Sequence, residues 1–394
     1  MTLPSPAELK RHALQQQYDM LLRQHAAASR QLLTTNNAAD RPLLEAQVAD
    51  LETKMAEVWL HLNPSAASAP SAALTVAIRP RMEQVYTALC DLFDAEEHPL
   101  VEVELRNDTA QLQRLLVNSY IQEYSHVAAT TVELASGAVQ TVRQLPVLRK
   151  GAVQGITELT KAELTVSVRD LDADRIVQQQ SFRIALLARN VAPIAVHDLH
   201  TNAWIDMTRY LAAFVTPNAP KVLETLRKAV ERHPEQRMAG YQADADLQAS
   251  ALYDVLRHDI ALAYVHSITS FNLDAMAVDQ RVRLPAETLR TRSANCLDAA
   301  LLVASLLEAC SLYPALLVSK NHALVGWERR PGSGEWVWLE TTVFLTNNFA
   351  DACELGQRWA ATFLRKREQS GDVTWHRIVS IKALRTQHQI TPLE

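Results

Sequence analysis

Cys296, His322 and Glu340 are the residues whose types and spacing point most directly to chemistry. All three fall in one stretch, Leu284 to Phe344. The cysteine opens an apolar run with helical spacing, and the histidine and glutamate follow on two strand-like runs. That order suits a thiolate nucleophile, the base that deprotonates it, and a group that fixes the base's tautomer. Asn295 is a good N-cap, because its side-chain oxygen can accept a free amide of the first turn. Asp298 lies three residues on, where a carboxylate can reach back to the cap and suits the helix dipole. Leu297, Ala300, Leu301, Ala304 and Leu307 then recur at steps of three and four. Cys296 therefore sits in the first turn, where unpaired amides and the positive end of the dipole favour a thiolate. The same amides can donate to an oxyanion on an attacked carbonyl. Arg290 and Arg292, just upstream, add positive potential if they point inward.

Each residue also has an ordinary reading. A free cysteine is often a small buried hydrophobe. A histidine at a strand end is commonly a polar edge residue, and a glutamate before two threonines a solvated strand end. The order cysteine, helix, strand, histidine, strand, acid favours the catalytic reading of all three together.

The elements that must position them can be read from the pattern. Tyr313 to Ser319 is a short apolar run, and His322 to Trp327 reads His-Ala-Leu-Val-Gly-Trp. Arg330-Pro-Gly-Ser-Gly334 is dense in turn residues, and Trp336 to Thr342 alternates bulky and β-branched types. This predicts an antiparallel meander ending in a hairpin, with His322 opening one strand and Glu340 late in its partner. Trp327 and Trp338 are expected to pack around the site or in the core behind it.

These residues resemble a family. The pattern Cys-Leu-Asp, apolar helix, His-Ala-x-Val-Gly, hairpin, Trp-x-x-Leu-Glu-Thr-Thr resembles the transglutaminase-like superfamily of papain-type cysteine enzymes, in the bacterial versions attached to helicase-type and conflict-system proteins. Flanking phrases fit as well: Ala213-Phe-Val-Thr-Pro-Asn218, Gly240-Tyr-Gln242, Gln280-Arg-Val-Arg-Leu-Pro285, Asn348-Phe-Ala-Asp-Ala352, and the ending Leu384-Arg to Ile390-Thr-Pro-Leu393. The resemblance covers roughly Pro99 to the C-terminus and is strongest from Arg281 to Thr342. It implies Cys296 as nucleophile, His322 as base and Glu340 as orienter. Glu340 departs from the aspartate usual across the superfamily, and its longer side chain alters the geometry expected of that position. The resemblance also offers Gln280 as a side-chain oxyanion donor. A solvated loop glutamine is the ordinary alternative there.

Composition bounds the rest. The chain has 394 residues, 48% hydrophobic and 21% charged, enough for two or three domains and a sizeable core. A net charge of -5 with no long basic run disfavours nucleic-acid binding through a broad basic face. No apolar run approaches the ~20 residues a membrane span needs. The opening Met-Thr-Leu-Pro-Ser-Pro-Ala-Glu-Leu-Lys-Arg-His has no apolar core, so no secretory signal is expected. The four cysteines, Cys90, Cys296, Cys310 and Cys353, form no close pair, which fits a reduced, cytoplasmic protein. Thirteen histidines are scattered without a His-Glu-x-x-His motif, and no glycine loop of phosphate-binding type occurs. No cofactor and no metal are expected.

Taken in order, the chain changes character three times, and the expected class is α+β. Residues 1–63 read as a helical hairpin with coiled-coil character, running helical from about Ala7 to Leu62. Leu9, Leu14, Tyr18, Leu21 and Leu22 mark one stripe, and Leu43, Leu44, Val48, Leu51, Met55, Val58 and Trp59 the other. Thr34-Thr-Asn-Asn37 and Asp40-Arg-Pro42 break the pattern between them. Two helices bury little by themselves, so this module is expected to pair with a partner or with a second copy, unless it packs on its own chain. Residues 64–74, including Pro64-Ser-Ala-Ala-Ser-Ala-Pro-Ser71, read as a linker. Residues 75–196 read as a β-sandwich, immunoglobulin-like, from period-two runs at Leu100 to Leu105, Ala162 to Val168 and Val177 to Leu187. Leu115 to Tyr124 and Val132 to Val142 give weaker strand patterns, and Pro80 to Phe93 a short helix. Residues 197–394 read as the transglutaminase-like α+β domain, with helices at Ala219 to Val230, Leu247 to Asp259 and Phe349 to Lys366 around the cysteine stretch.

The function expected is a cysteine-dependent acyl-transfer enzyme, a peptidase acting on protein or peptide substrates. Amine in place of water would make it a crosslinking transglutaminase, and water acting on a side-chain amide a deamidating one. An inactive scaffold working through the N-terminal hairpin is the alternative of another class.

Overall fold

In a computed structural model the described residues are 74–198, 203–266, 277–319, 322–370 and 376–393, with scattered positions and short runs between 14 and 58. The chain divides into two compact units, Met1–Leu74 with Asp108–Ala110, and the remainder.

In the first unit the described positions between 14 and 58 are helical. Leu21, Ala28, Leu51 and Val58 are buried together, with Leu14, Tyr18, Val48 and Met55 packed against them. Each set follows the three- and four-residue steps of one helical face, so the two stretches meet along their apolar stripes. Leu9, Leu22, Leu43, Trp59, both expected cap segments and the linker stretch lie outside the described residues.

The second unit is mixed α and β with several sheets. It opens with β1 (Leu74–Pro80), β2 (Gln84–Tyr86), β3 (Val101–Asn107), β4 (Gln113–Ile121), β5 (Ala128–Leu134), β6 (Val139–Gln144), β7 (Thr160–Asp170) and β8 (Arg175–Leu187). These form a three-stranded sheet, β1-β3-β6, and a five-stranded sheet, β2-β8-β7-β4-β5. Val101, Val103 and Leu105 alternate into the core, as do Leu115 and Val117, which is the period-two burial of a half-covered strand. Buried amide side chains tie the sheets together: Gln144 Nε2 donates to the Val117 carbonyl at 3.0 Å, and Asn107 Nδ2 to that of Leu134 at 2.8 Å.

Two expectations fail here. The helix expected over Pro80 to Phe93 is instead β2 followed by a single 3-10 turn, Thr87–Leu89. Gln84 to Tyr86 finds a parallel partner in Ala185 to Leu187, a ladder that the local pattern does not announce. The run Val132 to Val142 is two strands, because Gly137 turns the chain with φ +74°.

The cysteine region follows. β9 (Val191–Asp198) lies between β10 (Ala203–Asp206) and β12 (Ala277–Arg281), with β11 (Ala263–Tyr264) paired to β13 (Ser293–Ala294). Its helices are α1 (Pro220–Arg232), α2 (Ala245–Asp254), α3 (Pro285–Thr291) and α4 (Cys296–Ala309). Pro220 starts α1 as expected, and the helix expected to run on to Asp259 gives way at Val255 to a π turn. A four-stranded sheet follows, with β14 (Pro314–Ser319), β15 (Ala323–Glu328), β16 (Trp336–Leu339) and β17 (His376–Ser380) in the order β16-β15-β14-β17. All its pairs are antiparallel. α5 (Phe349–Ser370) covers β16, and α6 (Ile381–Gln387) follows β17.

α4 is almost wholly buried, packed on β14, β15, α1 and α3. Ala300, Leu301, Leu302, Ala304, Leu306 and Leu307 are fully covered, so this helix is the centre of the largest apolar cluster. Two glycines permit close approach in the sheet. A Cβ on Gly326 would meet the Trp338 ring at 2.6 Å, and one on Gly356 of α5 would collide with the Trp338 carbonyl oxygen. No described helix is long and apolar enough to cross a membrane.

Candidate functional site

The site begins at the first turn of α4. Asn295 accepts the Asp298 amide at 2.8 Å, and the Asp298 carboxylate accepts the Asn295 amide at 3.2 Å, a complete capping box. Asp298 is fully buried and is held further by Arg283, whose amide and guanidinium donate to it at 2.7 and 3.0 Å. With the cap bonded to the third amide of the helix, the amides of Cys296 and Leu297 have no acceptor among the described residues. They are the free first-turn donors of a helix N-terminus, beside a half-buried thiol.

His322 stands where β14 returns as β15. Its carbonyl accepts the Ser319 amide at 2.9 Å and the Ser319 hydroxyl at 3.0 Å, which pins the backbone at the strand start. Glu340 follows the last residue of β16, and its amide donates to the Ala352 carbonyl of α5 at 3.1 Å. The register Val325↔Leu339 brings the start of β15 alongside the end of β16. Across that pair, His322 Nε2 donates to Glu340 Oε2 at 2.7 Å. The other carboxylate oxygen of Glu340 accepts the Thr342 amide at 2.9 Å and its hydroxyl at 2.7 Å. Glu340 is 3% exposed, and both its oxygens are bonded. Cys296 also acts on this imidazole and favours its charged form.

The charges follow from this arrangement. Burial works against a charged His322, but its interactions with Cys296 and Glu340 outweigh it and hold the imidazole up at about 9. Burial also works against a charged Glu340, and there the His322 ring and the two Thr342 donors prevail, holding it below the usual carboxylate range. Thr341 closes the floor, its hydroxyl donating to the Cys296 carbonyl at 3.4 Å. Trp359 and Phe363 of α5 stand against the imidazole, with ring centroids 5.7 and 6.3 Å away.

The structure thus brings Cys296, His322 and Glu340 together. It does not bond Gln280 to them: Gln280 lies on β12 opposite Ala192, half-buried, and its side chain makes no hydrogen bond to any of the three. Arg290 and Arg292 are exposed. Arg290 lies 3.9 Å from Glu287, and the cation at the helix start is Arg283 instead. Trp327 and Trp338 are core residues rather than site walls. Trp327 is fully buried with its indole N–H on Asp246 at 2.9 Å, and Trp338 stacks on Trp336. Sequence reasoning passed over Arg283, Thr342, Trp359 and Phe363. The Thr-Thr pair after Glu340 was a usable signal for Thr342, since a hydroxyl two residues on can bond back to a carboxylate. Nothing local marks Trp359, because helical spacing shows that α5 is a helix but not which of its aromatics meets a strand end. Among the described residues no three His, Cys, Asp or Glu side chains are grouped as metal ligands.

Comparison with known proteins touches mainly the other end of the chain. Residues 4–65 match the family model of effector-associated domain 9. No curated protein matches the chain. Among solved structures, a FixG-related protein from Vibrio parahaemolyticus aligns at 10% identity over 29% of this chain and 95% of its own, with a TM-score of 0.19. That likeness is too slight to support any conclusion.

Proposed function

We propose that the chain is a cysteine-dependent acyl-transfer enzyme, a peptidase that acts on protein substrates through Cys296, His322 and Glu340. The observation that carries this reading is the position of His322, whose Nε2 is bonded to Glu340 at 2.7 Å and whose charged form Cys296 favours as well. His322 takes the thiol proton, and Cys296 sulfur attacks the substrate carbonyl. The negative charge that develops on oxygen is met by the unpartnered amides of Cys296 and Leu297 at the positive end of α4. The imidazolium then hands its proton to the leaving amine, a thioester remains on Cys296, and water, deprotonated by His322, resolves it. Glu340 fixes the tautomer and stabilises the imidazolium, as the acid of a triad does. Gln280 is kept as a second oxyanion donor on the family resemblance alone.

A buried helix that bears the cysteine, packed on an antiparallel sheet that bears the histidine and the acid, supports a transglutaminase-like, papain-type fold for this region. The two sheets before it are read as a β-sandwich support. The match of residues 4–65 to an effector-associated domain supports an N-terminal module that recruits a partner, in a bacterial conflict-type effector acting in the cytoplasm.

The first test is the rate of iodoacetamide alkylation at Cys296, from acid to mildly alkaline pH. Replacing His322 by Ala is expected to slow it by about a hundredfold, within the range of a positioned general base. A Cys296 that reacts like free cysteine and ignores His322→Ala would reject the assignment.

A further inference from the structure

We propose that Arg283 is a positioning residue for the nucleophile: through buried Asp298 it ties the first turn of α4 to the chain entering α3, and it cancels that carboxylate's charge beside Cys296. The proposal rests on the acyl-transfer reading and names what governs the thiolate in that site. Both Asp298 oxygens are engaged. Oδ1 accepts the Arg283 amide at 2.7 Å, and Oδ2 accepts the Arg283 guanidinium at 3.0 Å and the Asn295 amide at 3.2 Å. Every one of these partners is a donor, and a carboxyl proton finds no acceptor among them, so the group is held as a carboxylate. Burial pushes its carboxyl up, and the donors of Arg283 and Asn295 work the other way. A charge so buried needs a counter-ion, and Arg283 supplies it.

Two consequences follow, one mechanical and one electrostatic. Arg283 lies between the end of β12 at Arg281 and the start of α3 at Pro285. Its amide and guanidinium grip one carboxylate, so this chain is fixed against the turn that carries Cys296. Asp298 is also only two residues after Cys296, in the same turn. A bare carboxylate there opposes a thiolate, because buried charges are screened little. With Arg283 bound to it, the free amides of Cys296 and Leu297 and the His322 ring are left to favour the anion. The other ionisable groups that act on the thiol's surroundings are His322 with Glu340, from the sheet, and Tyr264 of β11. Of the elements packed on α4, β13 and β14 carry no ionisable residue. Elsewhere the charges are paired: Glu287 lies 3.9 Å from Arg290 on α3, Lys221 of α1 binds Glu224, and Asp246 of α2 binds Arg329. Glu328 of β15 accepts the Gly332 and Gly334 amides, and at the far end of α4 Glu308 binds Arg385.

The test is the pH profile of iodoacetamide alkylation at Cys296 in the full chain, where the sulfur displaces iodide and forms a thioether. Four forms are compared: wild type, Arg283→Gln, Asp298→Asn and the two substitutions together. Arg283→Gln leaves the carboxylate unbalanced, and the profile is expected to move to higher pH by about one unit, the scale of one like charge beside a titrating group. The rate at neutral pH then falls about tenfold, whereas Arg283→Lys keeps the charge and restores most of it. Asp298→Asn leaves the cation unbalanced, and the profile is expected to move the opposite way, to lower pH. The double variant carries neither charge and is expected to return to the wild-type profile. A cap that merely holds the helix start predicts something else: every variant slows, Asp298→Asn included, and no profile moves. That outcome overturns the proposal, as does a double variant displaced as far as Arg283→Gln. Should Arg283→Gln fail to fold, Asp298→Asn and the double variant decide the matter, since a profile that does not move back to higher pH between them overturns it. A wild-type protein with no His322-dependent alkylation fails the underlying reading instead.

Discussion

The two ends of α4 carry the same residue type in opposite circumstances. Cys296 begins the helix, half-buried, beside two unpartnered amides and close enough to His322 to favour its charged form. Cys310 follows the helix's last residue, buried, with its thiol donating to the Leu307 carbonyl at 3.2 Å. Burial pushes the Cys310 thiol up to about 12, so it stays a neutral apolar filler. A helix is polar along its length: free N–H groups at one end favour an anion, and the carbonyls at the other disfavour one. Chemistry at this helix is therefore decided by which end a cysteine occupies and by what the facing sheet supplies there.

The largest effect expected is from Cys296→Ala set beside Cys310→Ala. The first abolishes turnover while the thermal melt is kept, and the second keeps turnover and lowers stability by about 1 kcal/mol, as small core truncations do. Turnover lost equally in both would break the contrast.

A smaller effect comes from pH. His322 is held above its ordinary value, so its pairing contributes stability that is fully present below the ordinary histidine range and lost as pH rises through about 9. Glu340 has the opposite sign: held below its ordinary value, it contributes stability that is present above the carboxylate range and lost as pH falls through its lowered value. The difference in melting temperature between wild type and His322→Ala should therefore shrink between neutral pH and pH above about 9. A difference that stays constant across that window would mean that the ring is not held charged by its two partners.

The smallest effect sharpens the contrast at the helix start. Asn295→Ala removes the acceptor of the Asp298 amide and is expected to cost about 1 kcal/mol in denaturant melts. It should also slow Cys296 alkylation, because the cap sets the direction of the first turn, whereas the surroundings of Cys310 are untouched.

Much of this site could be read without coordinates. The Asn295 to Asp298 cap, the helical apolar run and the Gly-rich turn between β15 and β16 are local patterns, and local hydrogen bonds realise them. The buried Leu21, Leu51 and Val58 of the first unit were legible for the same reason, as they lie on the two expected stripes, whereas Ala28 beside them was not marked. β17 was not. It pairs with β14 across some sixty residues, Ala315 opposite Ser380, and no short-range pattern identifies so distant a partner. β2 failed likewise, as its parallel partner Ala185 to Leu187 is a hundred residues away.

By itself the sequence determined which residues are able to act: a cysteine placed on the free amides of a capped helix, a histidine at a strand start and an acid at the end of its neighbour. These depend on backbone periodicity and capping, which operate over a few residues. Only the tertiary structure decided which of them meet. It set Glu340 on Nε2 of His322, gave Asp298 its Arg283, placed Trp359 and Phe363 against the imidazole, and left Gln280 on β12 without a bond to the three. Those outcomes depend on how α4 and α5 pack against the sheet, and packing joins residues whose separation along the chain carries no information about their distance in space.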